Sequence, residues 1–181
     1  MIRAGLALCA LLAAGPVSAN CAEMWFVRNL IFDNAGMCFF SPLGVAMFDN
    51  SDCTPDAKIE IGAIDEEIVA TIKANEADLG CSVDTDQTEL PVPHADLLRA
   101  VDQLPAVAKE ESACLSFNAP TVPVRSSLGI GAAVISSVTA GDTVYFRYEP
   151  FGGWEFVVTE RTAGWIPLGT ITPESCLDWA G

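Results

Sequence analysis

The hydrophobic pattern changes period several times along this 181-residue chain, and each change marks an expected element. The start is unbroken: after Met1-Ile2-Arg3 comes an apolar run from Ala4 to Ala14, then Gly15, Pro16 and Val17-Ser18-Ala19. A positive end, a short apolar stretch and small residues before a cut form the pattern of a secretory signal peptide over residues 1–19. The run is too short for a membrane span. Asn20, before Cys21, is not the small residue that a lipoprotein cut needs. Next, Met24, Val27, Ile31 and Ala35 recur at helical spacing, flanked by Phe26 and Leu30, and predict a helix over Ala22–Ala35 that Gly36 ends. Ser41-Pro42 starts a short helix to Phe48, with the serine as cap and the proline in the first turn. Ile61, Ile64, Ile68 and Ile72 share one face of a third helix, from Gly62 to Asp78. After the polar stretch Ser82–Pro93, a short helix opened by Pro93 carries Leu97, Leu98, Val101 and Leu104, and Pro105 stops it.

From Val122 the period shortens. Apolar and β-branched runs alternate with glycine turns, predicting strands at Val122–Arg125, Val134–Val138, Asp142–Glu149, Trp154–Thr159 and Gly164–Leu168. Five short strands at this spacing indicate a small β-barrel. Alternation sets Tyr145 and Arg147 on one face, Phe146 and Tyr148 on the other, and Trp154 with Phe156. Phe146, Phe156 and Ile166 are assigned to the core. Tyr145, Tyr148, Phe151, Trp154 and Trp165 supply most of the remaining aromatic surface and are the candidate ligand-binding residues. Phe151 stands out because it sits in a P-F-G-G turn, where a large apolar group gains little unless it packs or binds.

Composition adds a compartment and a sign. The formal charge is −15, or −16 once Arg3 leaves with the signal peptide. Twelve acids and two bases lie between Asp49 and Glu89, against four and three between Val122 and Thr170. That balance speaks against nucleic acid and anionic lipid as partners. Of seven cysteines, Cys9 lies in the signal peptide. The other six are an even number in an oxidising compartment, where three disulfides are the default, although fifteen pairings exist. Cys38–Cys53 would close the short helix and Cys21–Cys81 would tie the ends of the helical part.

Two resemblances sharpen this outline. The order V-R-S-x-x-G, V-I-S-S-V, A-G-D, G-W and G-W-I resembles a bacterial SH3-like domain. It implies a binding or spacing module rather than a catalyst. The ends of such folds lie close together, which implies Cys114–Cys176 as the third bridge. Such barrels in exported bacterial proteins often contact cell-wall peptides or proline-containing segments. The stretch W-F-V-R-N-L-I-F followed by F-F-S-P and M-F resembles the YARHG domain, an extracellular bacterial module with no established activity. Trp25, Arg28, Asn29, Ile31, Gly36, Phe39, Ser41 and Phe48 fit its pattern. The naming motif itself is replaced by Phe32-Asp33-Asn34-Ala35-Gly36. Arg28 and Asn29, polar in an apolar helix, read as a structural pair, with Asp33 or Asp49 as the arginine's partner.

The expected fold class is α+β. Its parts are a signal peptide (1–19), a disulfide-tied YARHG-like helical domain (20–81), a linker with a short helix (82–113) and an SH3-like β-barrel (114–181). No catalytic constellation is present. His94 is the single histidine, and no H-E-x-x-H, G-x-S-x-G or P-loop occurs. Asp49, Ser51 and Asp56 approach calcium spacing, but Cys53 and Thr54 stand where an EF-hand loop needs an oxygen ligand and its glycine. No metal or cofactor is expected. The expected protein is a monomeric, non-enzymatic, periplasmic or extracellular binding protein, without membrane insertion. Its partner would be a cell-wall peptide or an envelope protein. Two other readings stand beside it, an acidic inhibitor of a basic wall-lytic enzyme and a spacer without a ligand.

Overall fold

A computed structural model describes residues 19–55 and 58–181, so the signal-peptide reading lies outside the described residues. Four helices come first: α1 (Ala19–Asn34), α2 (Pro42–Met47), α3 (Ala63–Leu79) and α4 (Ala95–Arg99). Seven strands follow: β1 (Val107–Phe117), β2 (Val122–Arg125), β3 (Val134–Val138), β4 (Val144–Tyr148), β5 (Trp154–Val158), β6 (Ala163–Pro167) and β7 (Cys176–Ala180). The class is α+β. Among the described residues no helix is long and apolar enough to cross a membrane.

Helix α1 is the axis of the molecule. Every residue from Cys21 to Val27 is buried, as are Asn29, Leu30 and Ile31. A helix apolar nearly all round must be enclosed on all sides. Here α3, the aromatic side chains Phe39 and Phe48 and the sheet enclose it, in a single cluster that runs from Met24 and Phe26 through Ile68 and Ile72 to Phe156 and Trp165. In α2, Ser41 caps the start by accepting from the Gly44 N–H at 3.1 Å. Helix α3 ends at Gly80, in the left-handed conformation at φ 63°. Its buried face is Ile68, Val69, Ile72 and Asn75; Ile64, expected there, is 41% exposed because it lies in the first turn, before the helix meets its neighbours. Helix α4 is a single turn opened by His94 rather than Pro93, and Leu98, Val101 and Leu104 pack beneath it.

The sheet corrects the barrel. Its strands pair in the order β3-β2-β6-β5-β4-β1-β7, each edge strand has one neighbour, and the ladder does not close. The five expected strands form its β3-to-β4 block. The two added strands extend that block past β4, β1 against β4 and β7 against β1, and β1 begins inside the stretch read as a linker. Strand β1 is long but carries Lys109-Glu110-Glu111 at three consecutive exposed positions, which hides its alternation. Both faces of the sheet are covered. One packs on the helices through Tyr148, Phe156, Val158, Ala163 and Trp165. The other gathers Phe117, Val124, Val138, Val144, Val157 and Ile166 into a second cluster. The expected core trio is therefore split: Phe156 faces the helices, Ile166 the second cluster, and Phe146 lies half-buried at its margin against Trp179. Three disulfides tie these parts: Cys21–Cys81, Cys38–Cys53 and Cys114–Cys176. The last joins the paired strands β1 and β7.

Candidate functional site

The site grows from a break in the ladder. Strands β2 and β6 meet at one bridge, Arg125 opposite Trp165. Extending that antiparallel register by two residues sets Pro123 opposite Pro167. Neither has an N–H to give, so the ladder stops there. The two strands part, and a groove of about 370 Å³ opens between Thr121, Val122 and Pro123 on one side and Pro167 and Thr170 on the other. Trp154, at the start of β5, Pro120, and Ile130, from the β2–β3 loop, complete its wall together with Arg125. Ile130 is 82% exposed and Leu168, next to Pro167, is 53% exposed. Apolar side chains held in water beside an apolar groove mark an interaction surface.

On the other side of the bridge the strands are pressed together. A Cβ on Gly164 would lie 2.5 Å from the Arg125 carbonyl oxygen and 2.6 Å from Val124 Cγ1, so this β6 position accepts only glycine. The groove is thus bounded by a close approach at Gly164 and a split at the facing prolines.

The five expected ligand aromatics do not share one surface. Trp154 lines the groove. Phe151 sits beside it, joined by reciprocal backbone hydrogen bonds of 2.8 and 2.9 Å, and packs against the large core cluster. Tyr145 lines a different cavity, of about 340 Å³, with Glu111, Leu115 and Gly181. Tyr148 and Trp165 are buried, which corrects their assignment as surface residues. Trp165 is fully enclosed, donates Nε1–H to the Gln103 carbonyl at 2.8 Å and meets Phe156 edge to face at 5.2 Å. The physical reason is the second layer: the helices cover the face that an isolated barrel would leave to solvent.

Residues 80–181 match the family described as Domain of unknown function (DUF4453). The chain belongs to the DUF4453 family. Residues 8–77 match the YARHG domain. No curated protein and no solved structure matches the chain. The DUF4453 match spans the sheet, the groove and α4, whereas the YARHG match spans α1, α2 and most of α3. Three disulfides and the YARHG match indicate an extracellular or periplasmic protein.

The YARHG and DUF4453 parts meet through a buried polar cluster that the sequence reading missed. Glu23 of α1 is fully buried. The Tyr148 hydroxyl donates to its Oε1 at 2.5 Å, and Arg147 Nη2 lies 2.8 Å from Oε2. Arg147 is thus the cation that faces Oε2. Arg147 also reaches Glu111 of β1, Nε to Oε2 at 3.3 Å. Burial pushes the Glu23 carboxyl above its ordinary range, against the Tyr148 hydrogen bond and the Arg147 charge. Burial, then the Glu23 charge, push the Tyr148 hydroxyl well up. His94 is held below its usual value by burial and by Arg147. A lone glutamate among apolar residues two positions after Cys21 was the available signal.

The other polar pair holds helices together. Arg28 pairs with Glu76 of α3, Nε to Oε2 at 3.1 Å, and not with Asp33 or Asp49; the helix face carrying Arg28 turns toward α3. Asn29 Nδ2 donates to the Trp25 carbonyl at 2.7 Å. Asn75 of α3 donates to the Val107 carbonyl of β1 at 3.0 Å, a second polar tie between the parts.

Proposed function

We propose that this DUF4453 protein is an exported, non-enzymatic binding protein of the bacterial envelope that takes a peptide in the Trp154 groove. The ligand is a cell-wall peptide or a segment of an envelope protein. The reading rests on the groove: an indole, three prolines and an exposed isoleucine line a cleft that the facing prolines hold open. Rigid apolar walls of this kind recognise extended peptides at low ordering cost. The landmark order across β2 to β6 supports an SH3-like ancestry for the part that carries the groove. The signal-peptide pattern at the start of the sequence supports export. Titration of the disulfide-bonded protein with soluble wall fragments and with envelope-protein peptides tests the reading. Trp154→Ala should weaken binding by roughly 1–3 kcal/mol, as anchor truncations do; because Trp154 also packs against the large core cluster, the variant's melting temperature is read beside its affinity, and binding is compared below the melt of both proteins. Unaltered affinity would remove the groove from consideration.

One observation favours a second reading, docking of the acidic half onto a basic protein. Phe40 is 88% exposed on a fixed loop. Cys38–Cys53 holds one side, and Asn50 clamps the Phe39 backbone by accepting from its N–H at 2.9 Å and donating to its carbonyl at 2.7 Å. Binding by this face would be salt-sensitive and lost in Phe40→Ser; binding by the groove would be neither.

A further inference from the structure

The groove also carries a charge that fits one class of ligand end, an inference that rests on the peptide-binding reading above. Arg125 is the single charged residue in the groove wall. Five of the eight lysines and arginines in the described residues hold a carboxylate: Arg28, Lys58, Lys109, Arg147 and Arg161. Arg125 forms no ion pair among the described residues, in a chain of formal charge −15. Its position is nonetheless fixed. It ends β2, bridges to Trp165 and donates from Nη1 to the Ala132 carbonyl at 2.7 Å. A guanidinium has five N–H donors in a planar fork, so the remaining edge is free to meet a planar anion. The acid excess of the chain lies in the helical part; Glu155, next to Trp154, has its carboxyl engaged by the Gly169 N–H at 3.1 Å and is not in the groove wall.

We propose that the groove receives the C-terminal end of a short apolar peptide, with Arg125 holding its free carboxylate and Trp154 covering the side chains before it. The volume agrees with a chain end: about 370 Å³ is near the lower limit of small-ligand sites, roughly 300–1,000 Å³. Thr121 stands in the wall as a hydroxyl partner for the last peptide groups, while the Thr170 hydroxyl donates to the Pro167 carbonyl and is left as an acceptor for a peptide N–H.

The test is an array of acetylated apolar tetrapeptides, each made as free acid and as carboxamide, titrated against the full disulfide-bonded protein. The expected result is a preference for the acid of about tenfold or more, equal to about 1.4 kcal/mol. Arg125→Gln should abolish that preference, and Arg125→Lys should restore part of it, since lysine keeps the charge without the fork. Melting curves of both variants check that the Ala132 contact is not needed for folding. Equal binding of acids and amides, or a preference that survives Arg125→Gln, overturns the carboxylate assignment. If Trp154→Ala still abolishes that equal binding, the groove reading stands without it. Absence of binding by every peptide in both forms overturns both.

Discussion

Glu23 and Arg147 form one buried contact, but their replacement has unequal consequences. The burial that raises the Glu23 carboxyl outweighs the attraction of Arg147 and the Tyr148 hydrogen bond, so the fold prefers the neutral acid. From the ordinary value of 4.5 upward, the unfolded chain releases this proton while the folded chain retains it. The site's stabilising contribution is therefore full below that value and is lost as pH rises through the higher folded value. Glu23→Gln should be as stable as the parent at pH 8, and the parent's melting temperature relative to this variant should fall as pH rises from 4.5. Arg147→Ala removes the charge that opposes the burial, so the Glu23 carboxyl should rise further, and the loss of stability should grow with pH toward the roughly 3–5 kcal/mol of a buried carboxylate left without its cation. Thermal melts of the three proteins across pH decide this; a Glu23→Gln protein as damaged as Arg147→Ala would overturn it. At Gly164 the constraint is steric. A methyl group there meets the Arg125 carbonyl oxygen at 2.5 Å, and Gly164→Ala should destabilise by roughly 1–3 kcal/mol as overpacking does, read as a shift in the urea midpoint at constant slope.

Among the elements, β2 and β6 are neighbours that pair at one point. The interruption follows from two imino acids facing each other rather than from a weak strand, since each residue of β2 has a partner in β3 on its other side, with one irregularity between Val124 and Arg125. Replacing both Pro123 and Pro167 with alanine supplies the missing N–H groups. The β2–β6 ladder should then lengthen, narrow the groove and lower its affinity for peptide, without loss of stability. Amide exchange reads the first effect, because positions 123 and 167 gain slow protons in the double variant; fast exchange at both would show that the prolines do not cause the split. The Thr139–Asp142 turn, which joins β3 to β4, rests on a single carboxylate. Burial acts to raise the Asp142 carboxyl, but hydrogen bonds from Thr139 and Arg161 hold it below its ordinary value.

For the whole molecule, the helices and the sheet share one apolar cluster. Phe156, Val158 and Trp165 belong to the same buried cluster as residues of α1 and α3, and Glu23–Arg147 and Asn75–Val107 cross the same boundary. A fragment of residues 82–181 would present that sheet face to water. It should melt with little cooperativity and bind a hydrophobic dye, even though its Cys114–Cys176 bridge remains possible. Sharp, dye-free melting of the fragment, followed by near-UV circular dichroism, would show that the sheet is self-sufficient.

Local signals were legible in the sequence because they depend on neighbours along the chain. Ser41-Pro42 is a local helix start, Gly80 a local helix end, and the runs at Val134–Val138 and Trp154–Val158 read as strands because they are β-rich and bounded by turn signals. The even count of six cysteines implied bridges, although only the folded chain selects among the pairings. What the tertiary structure alone decided are the matters that depend on distant contacts. Whether Trp165 meets solvent depends on the segment at and after α4, where the Gln103 carbonyl, 62 residues earlier, accepts its indole N–H. Strand β1 escaped notice because its charged middle faces outward, and β7 because it forms only against β1. The groove was invisible for the same reason: Pro123 and Pro167 lie far apart in sequence, and their shared lack of an N–H matters only once register sets them face to face.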